Sequence, residues 1–161
     1  MNMSAYGVPA GDRAEIIDAL YRFGAGQDLR DRALFDSAFS RRAKLDFTGP
    51  AKRLGAELPV LEGREAIGET IFANLRNLDT THTVSNPRVT KYDGRSASVS
   101  ALVEAQHLPR GDHRRHLLLK NFYTLTLSKV NDAWLIEHLR IDNVWMSGDP
   151  TVLFPRELAA A

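Results

Sequence analysis

Two histidines stand in stretches that would fold without them. His82 interrupts "LDTTHTVSNPRV" (residues 78–89), a run rich in threonine, valine and serine. His107 closes "ASVSALVEAQH" (97–107). Neutral imidazole is a competent base near neutral pH. His82 is therefore either a surface histidine or a proton-transfer group facing a pocket, and the strand pattern leaves both readings open. Asn121 and Tyr123, in "LLLKNFYTLTL" (117–127), are donors of the kind that stabilise a developing enolate. A third pattern, "HRRH" (113–116), has metal-pair spacing. It sits at a loop-to-strand junction, where neighbours three apart do not share a face, so it reads as a solvated basic turn. No metal site is expected.

These groups act together only if the surrounding elements bring them to one space. Asp12 and Glu15 have capping-box spacing, and Ile16, Leu20 and Phe23 follow at helical intervals. Gly24 and Gly26 fall near that helix's end, where glycine costs least. A second helix is expected over 31–39, a strand over 43–49, a loop over 51–59 and a third helix over 63–78. Four strand candidates follow, at 80–91, 95–108, 115–129 and 133–145, separated by turn chemistry that includes Asp93-Gly94. Helices followed by a meander of long strands is an α+β pattern. Strands of that length imply a strongly curved, mixed, mainly antiparallel sheet. It would form a cone-shaped half-barrel closed by the N-terminal helices, with an interior of the type that holds small molecules. Residues 1–11 read as a tail, 12–148 as one domain and 149–161 as a second tail able to cover the pocket through Phe154.

Period-two alternation assigns the faces. Ala97, Val99, Ala101, Val103, Ala105 and His107 share one row, and Leu117, Leu119, Asn121, Tyr123 and Leu125 another. In the last strand Leu135, Leu139, Ile141 and Asn143 align, with Glu137 among them; Trp134, Ile136, His138, Arg140 and Asp142 fall opposite, as a second core or subunit contact. Asp46 is read as outward, and Arg140 with Asp142 as an exposed or subunit-contact pair.

Composition narrows the function class. Lys and Arg number 21 against 20 Asp and Glu, which leaves no electrostatic footprint for nucleic acid or an acidic membrane. There is no cysteine, so disulfides, thiolate nucleophiles and cysteine zinc sites are excluded. No apolar run approaches the ~20 residues that span a bilayer, and a soluble, cytoplasmic protein is expected.

In order and spacing, "YRFGAGQDLRDRALF", "TTHTVSNPRV", "VEAQH" and "AWLIEHLRIDNVWMSG" resemble the nuclear transport factor 2-like superfamily, the SnoaL-like or cystatin-like α+β barrel. Within it the chain is similar to the scytalone dehydratase and hexachlorocyclohexane dehydrochlorinase branch. The resemblance covers about residues 12–148. It implies that Asp28, at the end of the first helix, holds His82, and that His107, 25 residues later, is a second catalytic histidine. The tyrosines that polarise a carbonyl in the fungal dehydratase are matched by Gln27 and Phe47, and a Ser and an Asn by Asn121 and Tyr123. The proton-transfer groups are retained while the carbonyl-binding groups are rebuilt.

The expected activity is that of a lyase or isomerase needing no cofactor. Asp28, His82 and His107 would be catalytic, with His107 either protonating or binding a leaving hydroxyl. The substrate would be a small hydrophobic carbonyl compound, with aromatic and polyketide-like frames among the candidates, bound by Phe23, Gln27, Phe47, Ala105, Asn121, Tyr123, Leu139, Ile141 and Asn143. A homo-oligomer, trimer or dimer, is implied by relatives. The alternative is a non-catalytic binding or accessory subunit of the same fold, such as the small subunit of a ring-hydroxylating dioxygenase.

Overall fold

The computed structural model describes residues 7–155. Residues 1–6 and 156–161, which belong to the two expected tails, lie outside it. The first helix, α1 (Ala10–Asp28), starts directly after Pro9, three residues earlier than the capping-box pattern suggests. Asp12 makes no cap. Its carboxylate instead gathers the Tyr92 hydroxyl, Lys129 Nζ at 2.9 Å and the Trp134 indole N–H at 3.1 Å. Those donors, Tyr92 first, hold the Asp12 carboxyl down at about 2. The residue read as a local helix signal thus ties α1 to the far ends of three strands.

Helix α2 (Arg32–Ser37) is shorter than expected and is capped by Asp31, whose side chain accepts from Leu34 N–H. Strand β1 (Phe39–Asp46) begins where the second helix was expected to end. Asp46 is not simply outward: it accepts from the backbone and hydroxyl of Thr48 and so starts α3 (Thr48–Arg53), across the junction of the expected strand and loop. Strand β2 (Leu61–Glu62) and helix α4 (Arg64–Asn74) follow. Then come β3 (Leu78–Tyr92), β4 (Ser96–Pro109), β5 (Leu117–Val130) and β6 (Ala133–Gly148).

The six strands form one mixed sheet in the order β2-β1-β6-β5-β4-β3, open at both edges. Every pairing is antiparallel except β1 with β6. The sheet curves around α1, and α2 and α4 complete the closure, so the expected half-barrel is present and is not sealed into a barrel. Among the described residues no helix is long and apolar enough to cross a membrane.

One strand phase differs from the alternation. Leu127 pairs with Ile136 while Thr126 pairs with His138, so β6 carries an extra residue at Glu137. A bulge of this kind reverses which side chains face inward. Trp134 and Ile136, assigned by alternation to the opposite face as a second core or subunit contact, are consequently buried in the same core as Leu139 and Ile141. The Glu137 carboxylate accepts from Ser40, at 2.7 Å, and from Ser128. Arg140 and Asp142 are an exposed ion pair at 2.9 Å, as expected.

Two glycines let the helices approach. A Cβ on Gly26 would sit 2.6 Å from the Phe35 backbone nitrogen, and one on Gly24 would sit 3.3 Å from His82 Cβ. Their role is contact across elements rather than low cost at a helix end. Phe23, Phe35, Phe39, Phe72 and Tyr123 stack beside that contact with ring centroids 5.2–6.1 Å apart.

Candidate active site

The close approach at Gly24 brings the last turn of α1 against β3. Asp28 then reaches the strand with both oxygens. Oδ2 accepts the His82 backbone N–H at 2.6 Å, and Oδ1 lies 2.7 Å from His82 Nδ1. The Thr80 hydroxyl donates to Oδ1 at 3.0 Å. Burial works against the charged form of Asp28. The hydrogen bond and charge of His82, its backbone N–H and the Thr80 hydroxyl outweigh burial, and the carboxyl lies below its ordinary range.

An ionised carboxylate only accepts, so Nδ1 carries the proton. Nε2 is left with its lone pair in the neutral ring. The His82 side chain is 5% exposed and belongs to the wall of an internal chamber.

Arg30 secures this arrangement from behind. Its backbone is left-handed (φ 56°), which turns the chain out of α1. Its guanidinium donates to Thr80 Oγ1 at 3.0 Å, to the Leu75 carbonyl at 3.1 Å and to the Gln27 and Leu78 carbonyls. Because Thr80 accepts from Arg30, its own proton is directed at Asp28. Neither Arg30 nor Thr80 was singled out in the sequence. A left-handed arginine leaves no pattern, and Thr80 reads as one more strand threonine.

His107 faces His82 across the chamber, with ring centroids 6.1 Å apart and planes near perpendicular at 82°. Its Nδ1 meets the Leu117 carbonyl at 3.3 Å. A carbonyl only accepts, so Nδ1 again holds the proton and Nε2 the lone pair. Burial above all, and repulsion from His82 whenever that ring is protonated, push the His107 pKa down to about 4. At neutral pH it is an uncharged acceptor. Of the two roles expected from sequence, binding a hydroxyl fits this state; donating a proton does not.

The chamber has a volume of about 80 Å³. Its wall includes Phe23, Gln27, Phe47, His82, Ala105, His107, Asn121, Tyr123 and Ile141, all anticipated. Gln27 has its amide nitrogen committed to the Phe23 carbonyl at 3.1 Å. Burial raises the Tyr123 phenol pKa, so its proton stays on. Asp28 stands behind His82 rather than in the wall.

Two anticipated lining residues do not reach the space. Leu139 is fully buried in the main core. Asn143 lies beside Asn121 and bonds to its Oδ1 at 2.9 Å. Several lining residues were missed: Leu45 on β1, Leu58 and Leu61 at or near β2, Thr70, Ile71, Asn74 and Leu75 of α4 and its end, and Leu153; Leu119 lines the wall in the row that holds Asn121 and Tyr123. The α4 set was visible as helical periodicity but carried no sign of which neighbour it faced. Leu153 and Phe154 line one side of the chamber.

The remaining histidines stay outside. His113 bonds Asp79 at 2.8 Å on the surface. Among the described residues no three His, Cys, Asp or Glu side chains converge as a metal site.

A model of the SnoaL-like domain matches residues 9–140. The chain belongs to the SnoaL-like family. The terrestric acid biosynthesis cluster protein E of Penicillium crustosum is 33% identical over 146 residues, and the match covers 86% of each chain. Among solved structures, a candidate aromatic ring hydroxylase from Novosphingobium aromaticivorans superposes with TM-score 0.77 at 22% identity, covering 88% of this SnoaL-like chain and 95% of that one. A candidate scytalone dehydratase from the same species gives 0.72 at 16%, covering 91% and 95%. Hexachlorocyclohexane dehydrochlorinase LinA-type3 from Novosphingobium barchaimii gives 0.72 at 16%, covering 91% and 96%. At these identities the structures establish the SnoaL-like, cystatin-like fold and nothing finer.

Proposed function

We propose that this SnoaL-like protein is a cofactor-independent lyase or isomerase that removes a proton next to a carbonyl in a small hydrophobic compound. The observation that carries the reading is the Asp28–His82 pair at 2.7 Å, with the second ring nitrogen free at the wall of an apolar chamber. His82 Nε2 takes the substrate proton, and Asp28 fixes the tautomer and stabilises the imidazolium that forms. Asn121 and Tyr123 donate toward the oxygen on which negative charge develops. His107 accepts from a substrate hydroxyl.

The enolate is then either reprotonated at a second carbon, giving an isomer, or expels a leaving group with the proton now held on His82. A relative belonging to a biosynthetic cluster, and fold neighbours described as a dehydratase and a dehydrochlorinase, support chemistry of this class. An accessory subunit has no use for a buried Asp–His pair facing empty space, which favours the enzymatic reading over the binding one.

The test is proton exchange in D₂O. Small cyclic and aromatic ketones are incubated with the protein and followed by NMR for deuterium entering beside the carbonyl. Wild type is expected to accelerate exchange for at least one, and His82→Ala to lose that acceleration. Equal exchange by the two proteins removes His82 as the base.

A further inference from the structure

Strand β6 has a second irregularity, at Val144. Lys120 pairs with Trp145 while Asn121 pairs with Asn143, so one residue of β6 is left over. Bulges disrupt the ladder locally and release carbonyls. Here the Asn143 side chain takes them: Nδ2 lies 3.3 Å from the Lys120 carbonyl and 3.0 Å from that of Trp145. The third oxygen beside it is Asn121 Oδ1, at 2.9 Å.

An amide nitrogen only donates and an amide oxygen only accepts. Turning the Asn143 amide over would set its oxygen against three oxygens, so the backbone determines its orientation. Asn143 Oδ1 is left without a partner among the described residues as the consequence. The orientation passes to Asn121. Only its Oδ1 can accept from Asn143, so its Nδ2 is turned away. No hydrogen bond of ordinary length reaches that nitrogen among the described residues, although the Tyr123 hydroxyl is near enough for Asn121 to lower its pKa; the Asn121 side chain is 1% exposed and lines the chamber. Buried donors without acceptors are rare and costly.

We propose that Asn121 Nδ2 is the subsite for a hydrogen-bond-accepting substrate oxygen, a ketone or its enolate, and that Asn143 is the positioning residue that makes the subsite a donor. This rests on the chamber being the substrate site. It adds a polarity to the substrate class. His107 offers a lone pair to a hydroxyl, and Asn121 offers an N–H to a carbonyl, so the preferred ligand is a keto compound at the Asn121 end. Specificity there is set one residue outside the wall, by an amide that never touches the ligand.

The experiment compares acetophenone with ethylbenzene, which share a shape and differ by the carbonyl oxygen. Affinities are measured on the full chain by NMR titration. Relative to wild type, the ketone-to-hydrocarbon affinity ratio is expected to fall by on the order of fivefold to tenfold in Asn121→Leu. The same fall is expected in Asn143→Asp, whose carboxylate pulls the Asn121 amide round to present oxygen. Retained ethylbenzene binding shows that each variant keeps its chamber.

An unchanged ratio in Asn143→Asp with ethylbenzene still bound overturns the proposal. If that variant does not bind ethylbenzene, the wild-type spectrum decides. Acetophenone, and not ethylbenzene, must shift the Asn121 side-chain NH₂ resonances; no shift, or no binding of either compound, overturns it. These are binding measurements, so failure of the proton-exchange test with His82→Ala is a separate outcome.

Discussion

Asp28 holds His82 twice, by its ring and by its backbone: Oδ1 lies 2.7 Å from Nδ1, and Oδ2 lies 2.6 Å from the amide nitrogen of the same residue. The second bond matters because it fixes the strand as well as the imidazole. An asparagine in its place keeps one acceptor and gains a donor, so it cannot satisfy both contacts. Asp28→Asn is expected to lower carbonyl-adjacent proton exchange by roughly 10²–10⁴-fold. Nitrogen-15 NMR of the imidazole should show loss of the Nδ1-protonated form. A variant with an unchanged tautomer would place the orienting group elsewhere.

Thr80 passes the influence of Arg30 to that carboxylate. It accepts from Arg30 and donates to Asp28, both at 3.0 Å. Thr80→Val keeps the shape, removes one donor from Asp28 and strands an N–H of Arg30 in a buried place. The expected cost is about 1–2 kcal/mol in urea unfolding. Proton exchange should drop on the order of tenfold, since Asp28 loses a bond that holds it in line. Thr80→Ser, which retains the hydroxyl, should recover most of the rate.

The helical approach can be tuned at two glycines with opposite outcomes. A methyl on Gly26 meets Phe35 backbone atoms at 2.6–2.7 Å, and backbone cannot move aside cheaply. Gly26→Ala is expected to destabilise by about 1–3 kcal/mol or more. A methyl on Gly24 meets His82 Cβ at 3.3 Å, which a shift of a few tenths of an ångström relieves. Gly24→Ala should therefore leave the urea midpoint nearly unchanged while slowing proton exchange, because it moves the base itself. Equal losses of stability in the two variants would contradict this division.

The same residues mark how far the sequence could be read. The strand rows of β4 and β5 were legible because alternation runs unbroken from Ala97 to His107 and from Leu117 to Leu127, and they placed His107, Asn121 and Tyr123 correctly on the chamber face. The phase of β6 was not legible. Its bulges at Glu137 and Val144 depend on pairing with a neighbour; the only trace of either in "AWLIEHLRIDNVWMSG" is the charged Glu137 falling in an aliphatic row. That is why alternation sets Trp134 on the face opposite Leu139 and Asn143 in the chamber wall. Asp12 failed for a related reason: its spacing to Glu15 fits a local cap, but the partners that claim it are 80 to 122 residues away. Asp28 came from resemblance to a family, since no local pattern distinguishes it from any other aspartate at a helix end.

His107 makes stability depend on pH in a window of its own. In the unfolded chain a histidine titrates near 6.5, while burial holds the folded-state value at about 4. Between those values the unfolded state binds a proton that the folded state refuses. Stability therefore falls as pH drops from 6.5 toward 4, and this contribution levels off below 4. The full loss is on the order of 3 kcal/mol. Asp12 acts in a lower window: its depressed value of about 2 contributes stability above 3.8 that is lost as pH falls through 2. The slope above pH 4.5 thus reports on His107 with little interference from that carboxylate. Urea midpoints measured from pH 7 to 4.5 are expected to fall steadily for wild type. In His107→Leu, which fills the same space without a titrating group, the decline over that interval should be much shallower. Parallel declines in the two proteins would mean that His107 is hydrated and titrates normally, and its place as the neutral acceptor of the chamber would be lost.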